Sequence, residues 1–116
     1  MHELQVTERI LEVALQHASR HQVERIVAIH LRVGELSDLE DEWLQHYFDY
    51  LSKDSLAEDA RLVIERVPIV LECDACSREF EIAKSALGEA ACPECGESRS
   101  KLVSGRGYLV QNMEVI

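Results

Sequence analysis

The sequence predicts an α+β fold: two amphipathic helices packed on a small three-stranded sheet, with a short cysteine-bearing module inserted before the last strand. Three observations carry this. Apolar residues recur at helical spacing over residues 4–19 and 39–52. Apolar and polar residues alternate over 25–33, 61–67 and 108–116. All four cysteines stand in two Cys-x-x-Cys pairs, Cys73 with Cys76 and Cys92 with Cys95, about 15 residues apart.

The first helix places Leu4, Leu11, Leu15 and Ala18 on one side, and Val6, Ile10, Val13 and Ala14 widen the stripe. Thr7 and Glu8 fall in its first turn; His17, Arg20 and His21 lie near its end, where the helix dipole favours cations. A turn at His21-Gln22 leads into the first strand. There Val27, Ile29, Leu31 and Val33 form the core face, and Ala28, His30 and Arg32 the wetter one. Gly34 ends the strand. Ser37 and Glu40 have the spacing of a capping box for the second helix. Trp43, Tyr47, Phe48, Tyr50 and Leu51 make that helix amphipathic, with its aromatic rings expected in the core. In the strand 61–67, Leu62, Ile64 and Arg66 alternate with Val63, Glu65 and Val67, and Pro68 closes it. Short strands are expected at Val70–Glu72 and Glu79–Ile82, beside the first cysteine pair. Gly105 and Gly107 mark the exit, and Tyr108–Ile116 returns with Leu109, Met113 and Val115 on one face. The expected organisation is one α/β domain, 1–68 with 105–116, and an inserted module, 69–104.

Composition narrows the function. Hydrophobic residues make up 47% of 116, enough for a core. The net charge of −10 argues against nucleic-acid binding, which needs a concentrated basic patch, and suits cations or basic protein partners. Met1-His2-Glu3-Leu4 lacks the basic and apolar regions of a signal peptide, and no apolar run is long enough to span a membrane. A cytoplasmic location is expected, and there four cysteines favour a metal over two disulfides. Two facing Cys-x-x-Cys turns make a tetrahedral sulfur cage suited to Zn²⁺; an iron–sulfur cluster is the rival ligand. About 35 residues bury too little to fold alone, so the metal carries the module. A closed cage has no open position, which makes this zinc structural and puts the chemistry elsewhere.

Histidines and carboxylates are the remaining candidates. With Met1 retained, His2 lets the terminal amine, a backbone amide and an imidazole converge, a nitrogen set that selects Ni²⁺ or Cu²⁺. The Glu3 amide competes with the amine as the further ligand. The bland counterpart is a surface histidine on a loose terminus. His17 and His21, four apart, share a helix face and can hold a metal, although a solvated pair is the commoner outcome. Glu35, Asp38, Glu40, Asp41 and Glu42 cluster at a helix start, where capping and dipole matching account for them. No nucleophile constellation, phosphate loop or catalytic His motif appears, so no enzyme is expected.

Met1-His2-Glu3, Gly34-Glu35-Leu36-Ser37 after the first strand, and the two Cys-x-x-Cys pairs in this order resemble the HypA/HybF family along the whole chain. The resemblance implies a nickel-delivery accessory protein for [NiFe]-hydrogenase maturation. It makes His2 the essential Ni(II) ligand, with Glu3 beside it through its backbone or side chain and Glu40 as a further carboxylate. It makes Cys73, Cys76, Cys92 and Cys95 the Zn(II) ligands. The implied partners are the GTPase HypB and the hydrogenase large subunit; some relatives also serve urease. Members are monomers or homodimers. Gln5 stands where relatives often have Ser, a departure that removes no ligand. The competing expectation is a zinc-ribbon adaptor that only binds proteins, with Met-His-Glu incidental.

Overall fold

A computed structural model describes residues 2–116. Its elements are α1 (Glu3–Ser19), β1 (Ile26–Gly34), α2 (Asp41–Leu51), β2 (Arg61–Val67), β3 (Ile69–Cys73), β4 (Glu79–Ile82), a 3₁₀ turn (Lys84–Glu89), β5 (Ser100–Ser104) and β6 (Tyr108–Val115). The strands form two three-stranded sheets, ordered β2-β1-β6 and β4-β3-β5. The mixed α+β architecture and the sheet of first, second and last long strands are as expected. β5 and the 3₁₀ turn have no counterpart in the expectation, because their short polar stretches carry little periodicity.

The chain divides into two compact units. One comprises Met1–Arg32, Asp38–Glu65 and Leu109–Ile116; the other comprises Val33–Ser37 and Arg66–Tyr108.

In the first unit the core is built from Ile10, Ala14 and Ala18 of α1, Leu44 and Phe48 of α2, and Ile26, Ala28, Ile29 and Leu31 of β1. The buried stripe of α1 is Glu3, Thr7, Ile10, Ala14 and Ala18, rotated from the expected one, and Leu4 is 43% exposed. The reason is that two inward positions, Glu3 and Thr7, are polar and hydrogen-bonded. The Thr7 hydroxyl lies 2.8 Å from the carbonyl oxygens of both Glu3 and Leu4, which share its one hydrogen, so it is buried without a missing partner. The aromatic expectation for α2 also needs correction. Phe48 alone is core, whereas Trp43 and Tyr50 are 44% and 69% exposed. Trp43, His46 and Tyr47 instead contact one another on the outer face, with ring centres 5.5–5.8 Å apart.

β1 is the central strand, and its burial does not follow one clean alternation. Ile26 and Ala28 are buried and Val27 is partly exposed, while Ile29 and Leu31 return to the expected phase. The Ile26 N–H donates to the Leu56 carbonyl, bringing the connection with buried Ala57 and Ala60 alongside this end of the strand. β6 is an edge strand whose half-buried residues are Val110 and Met113, whereas Leu109 is 59% exposed. The start of β2, at the other edge, is held by Gln45, whose side-chain amide accepts the Leu62 N–H at 2.8 Å and donates to the Ala60 carbonyl.

In the second unit β3 pairs antiparallel with β4, Leu71 opposite Phe80, and with β5, Leu71 opposite Leu102. Ile69 and Leu71 are its buried apolar centre. Gly34 passes so close to Gly105 that a Cβ on it would lie 2.1 Å from the Gly105 carbonyl oxygen. Leu36 N–H donates to that same oxygen, and Glu35 N–H to the Val67 carbonyl. Gly34 is therefore a point of backbone contact that no side chain can share.

Candidate metal centres

The four cysteines converge. Cys73 closes β3 and Cys76 follows in the next turn; Cys92 and Cys95 stand in a second turn after the 3₁₀ segment. The two turns repeat one backbone pattern. The Cys73 N–H donates to the Arg78 carbonyl and the Ser77 N–H to the Cys73 carbonyl; the Cys92 N–H donates to Glu97 and the Gly96 N–H to Cys92. The equivalent residues Ser77 and Gly96 both take positive φ, 63° and 76°. Each turn thereby aims two sulfurs at one point.

Cys73 Sγ lies 3.5 Å from Cys95 Sγ, and Cys76 Sγ lies 3.6 Å from Cys92 Sγ. All four sulfurs are within 4.8 Å of one another. A tetrahedral ion with bonds of about 2.3 Å to sulfur needs edges of about 3.8 Å, so the cage fits one ion of that size. A multi-iron cluster would have to spread the sulfurs further apart. All four thiols are free, and no disulfide links them. Cys73 and Cys92 are buried, Cys76 and Cys95 exposed. Arg78 and Glu94 form an exposed ion pair of 3.0 Å, one residue from each turn.

The thiols are not equivalent. The Cys95 N–H, outweighing burial and aided by the Glu94 N–H and neighbouring thiols, draws Cys92 down to about 7. The Glu97 N–H acts on Cys95 in the same sense, but hydrogen bonding with Cys73, burial and the other thiols push it up to about 12. Cys76 is also raised: the Arg78 N–H opposes this, and the Cys92 thiol, burial and Cys73 prevail. Cys92 is thus the sulfur that most readily carries negative charge, and a bound cation would offset the cost of ionising Cys76 and Cys95 beside it.

At the other candidate site, His2 precedes α1 in the N-cap position. It is exposed, and its side chain makes no capping hydrogen bond. Its carbonyl accepts the Val6 N–H at 3.0 Å, so the helix begins immediately behind it. Glu3, by contrast, is buried in the first unit, at 8% exposed. Its Oε2 accepts the backbone N–H of Glu40 at 3.1 Å. Burial alone would raise the Glu3 carboxyl; backbone N–H bonds from Glu3 itself and Glu40, with positive charge at the chain start and His2, hold it below its ordinary value.

Glu40 is the N-cap of α2, so one carboxylate ties together the first turns of both helices. The expected Ser37–Glu40 capping box does not form: the Ser37 hydroxyl donates to the Gly34 carbonyl at 2.8 Å, and the Glu40 side chain makes no cap bond. The structure brings Glu3 and Glu40 together, but through the Glu40 main chain. Among the described residues, the four cysteines form the group of three or more side-chain donors gathered within 4.8 Å. The Glu3 tether was legible only in part: an acid at the first helical position, four residues before Thr7 on the same stripe.

The other histidines are apart from both places. His30 Nε2 lies 2.9 Å from Glu114 Oε2, across from β1 to β6. His46 is on the outer face of α2, and His17 and His21 pair at the end of α1, with ring centres 4.7 Å apart. Among the described residues, no helix is long and apolar enough to cross a membrane.

Comparison with known proteins matches this arrangement. The family model described as "Hydrogenase/urease nickel incorporation, metallochaperone, hypA" covers residues 1–115. The chain is 35% identical to the hydrogenase maturation factor HypA of Geobacter metallireducens, covering 99% of both. It is 32% identical to HybF of Klebsiella pneumoniae, covering 98% of both. The solution structure of the Ni metallochaperone HypA from Helicobacter pylori superposes with a TM-score of 0.69 at 26% identity, covering 100% of this chain and 98% of that one. A second HypA solution structure gives 0.75 at 25% identity. A match along nearly the whole chain, with the four-cysteine centre in place, means that this chain belongs to the HypA family of hydrogenase maturation factors.

Proposed function

We propose that this chain collects Ni²⁺ at its N-terminal segment and delivers it during maturation of [NiFe]-hydrogenase, while the four cysteines hold a structural Zn²⁺. The observation that carries the nickel reading is the division of labour between adjacent residues. Glu3 is buried and clamps the first turn to Glu40, whereas His2 stands exposed with an imidazole that capping does not use. That fixes the base of the site and leaves its ligands accessible. The His2 imidazole and main-chain nitrogens at the chain start would supply the strong-field nitrogen set that Ni²⁺ favours. A site with few side-chain ligands beside an anchored turn suits transfer: it holds the ion, and a recipient can replace its ligands one at a time. In this reading the Glu3 side chain and the Glu40 main chain support the site, and the Glu40 carboxylate, which makes no cap bond, is the further ligand.

Cys73, Cys76, Cys92 and Cys95 would hold Zn²⁺ with no open position, so the zinc would shape the second unit and take no part in transfer chemistry. Family membership supports a role in nickel incorporation into hydrogenase or urease; the partners in this reading are the GTPase HypB and the hydrogenase large subunit, with urease a further client. A non-enzymatic role follows from delivery by docking.

The test is a Ni²⁺ titration of zinc-loaded protein, wild type against His2→Ala, followed by absorption and calorimetry. A tightest equivalent bound by wild type and lost in the variant, with zinc retained, supports the reading; weaker binding at histidines elsewhere is the same in both proteins. Equal binding by both would sink it and leave a zinc-ribbon adaptor. Because protons compete for an imidazole, acidification should weaken nickel binding in wild type.

A further inference from the structure

The end of α1 carries a feature that neither metal centre uses. We propose that His17 and His21 form a two-imidazole chelate for a borderline divalent cation such as Ni²⁺ or Cu²⁺, at the mouth of the groove between α1 and β6.

The local backbone sets up the pair. Helical hydrogen bonding ends at Ser19, but the chain does not unwind there. Arg20 N–H donates to the His17 carbonyl and His21 N–H to the Ala18 carbonyl, i to i+3 bonds that carry the coil one more turn. Gln22 then takes φ 52° and ends it. His21 therefore lies one turn beyond His17 on the same face. Both side chains are exposed, and their ring centres are 4.7 Å apart with the planes inclined at 45°.

That separation is compatible with a shared ion. A metal–nitrogen bond of about 2.0–2.1 Å places the ion about 3.2 Å from an imidazole centre. Two rings bound at about 90–109° then have centres about 4.5–5.2 Å apart. The observed pair falls in this window without rearrangement of the backbone.

The surroundings favour a cation. The last-turn carbonyls of α1 put the negative end of the helix dipole at this point. The two histidines line a cavity of about 440 Å³ with Val13, Val23, Val110 and Met113, and with the uncharged residues Gln111 and Asn112. The cavity has room for water to complete the coordination. Imidazole donors select Ni²⁺, Cu²⁺ and Zn²⁺ over the hard cations Mg²⁺ and Ca²⁺, which need oxygen.

The test uses the full-length, untagged, zinc-loaded chain carrying His2→Ala, so that the result is independent of the N-terminal reading. Ni²⁺ alone is the probe, followed by calorimetry and by the imidazole signals in NMR. With one equivalent, the His17 and His21 signals should broaden together and those of His30 and His46 should not. His17→Asn and His21→Asn should each weaken affinity about tenfold or more, because either loss removes the high local concentration of the second donor. The double variant should add little to either single one. Broadening spread over all four histidines, or a loss confined to one of the two variants, would overturn the chelate. Since both residues are exposed, circular dichroism of the variants should match the parent.

Discussion

Removal of the Glu3 carboxylate tests how the two helix starts are held. In Glu3→Ala the Glu40 N–H loses its acceptor, at a position where Glu3 is 8% exposed and water replaces it poorly. Hydrogen bonds to charged groups are worth about 1.5–3 kcal/mol, and loss of a helix cap costs about 1 kcal/mol. These describe the same contact, so about 2 kcal/mol is the expected cost. Glu3→Gln keeps an oxygen acceptor but loses the charge that faces both helix N-termini, for which about 1 kcal/mol is expected. For a chain of this length each kcal/mol moves Tm by about 4 °C, giving about 8 °C and 4 °C. The pH dependence has a definite sign. The Glu3 carboxyl is lowered in the folded state, so its contribution is fully present above the unfolded carboxylate range and lost as pH falls through the folded value. The gap between wild type and Glu3→Gln should therefore be constant near neutrality and close in acid. Urea unfolding of zinc-loaded protein by far-ultraviolet circular dichroism, repeated from pH 7 downward, reads both. If Glu3→Ala stays within about 0.5 kcal/mol of wild type, the tether is not a stabilising contact and the argument fails. Nickel affinity measured on Glu3→Gln adds a further reading: a merely supporting side chain leaves the metal stoichiometry unchanged.

Four more outcomes follow from particular residues. Gly34→Ala should cost about 3 kcal/mol or prevent folding of the second unit, because its Cβ meets the Gly105 carbonyl at 2.1 Å; a near-wild-type urea midpoint would contradict this. Ser77→Gly should stabilise the metal-loaded protein by about 0.5–1 kcal/mol, since φ is 63° there and the equivalent position in the second turn is already Gly96; a lower Tm would refute it. Ser52→Ala should be neutral or stabilising by up to about 1 kcal/mol, as the buried Ser52 hydroxyl has no hydrogen-bond partner among the described residues; a clear loss of stability would reveal one. Stripping the metal with a chelator should unfold the β4-β3-β5 sheet while α1 and α2 persist, and reloading should release protons, because Cys95 is pushed up to about 12 and Cys76 is raised without metal. Apparent affinity at the cage should accordingly rise with pH; calorimetry in buffers of different ionisation enthalpy counts the protons.

The features that sequence alone determined are those set by neighbours along the chain. Cys-x-x-Cys spacing dictates that two thiols share a turn, and the strand Arg61–Val67 emerged with its expected bounds because alternation and Pro68 are local signals. The helices were equally legible as helices. Their facing was not, since Glu3 and Thr7 occupy the buried stripe of α1, and hydrophobicity cannot register polar groups that burial tolerates only once they are hydrogen-bonded. Trp43 and Tyr50 misled in the opposite direction: a large ring signals a core only when another element arrives to cover it. Tertiary structure alone decided that Glu3 caps a helix 37 residues away, that Gly34 must be bare for Gly105 to approach, and that the two cysteine pairs meet sulfur to sulfur. Each of these depends on a distance between chain segments, and no spacing along a single segment contains it.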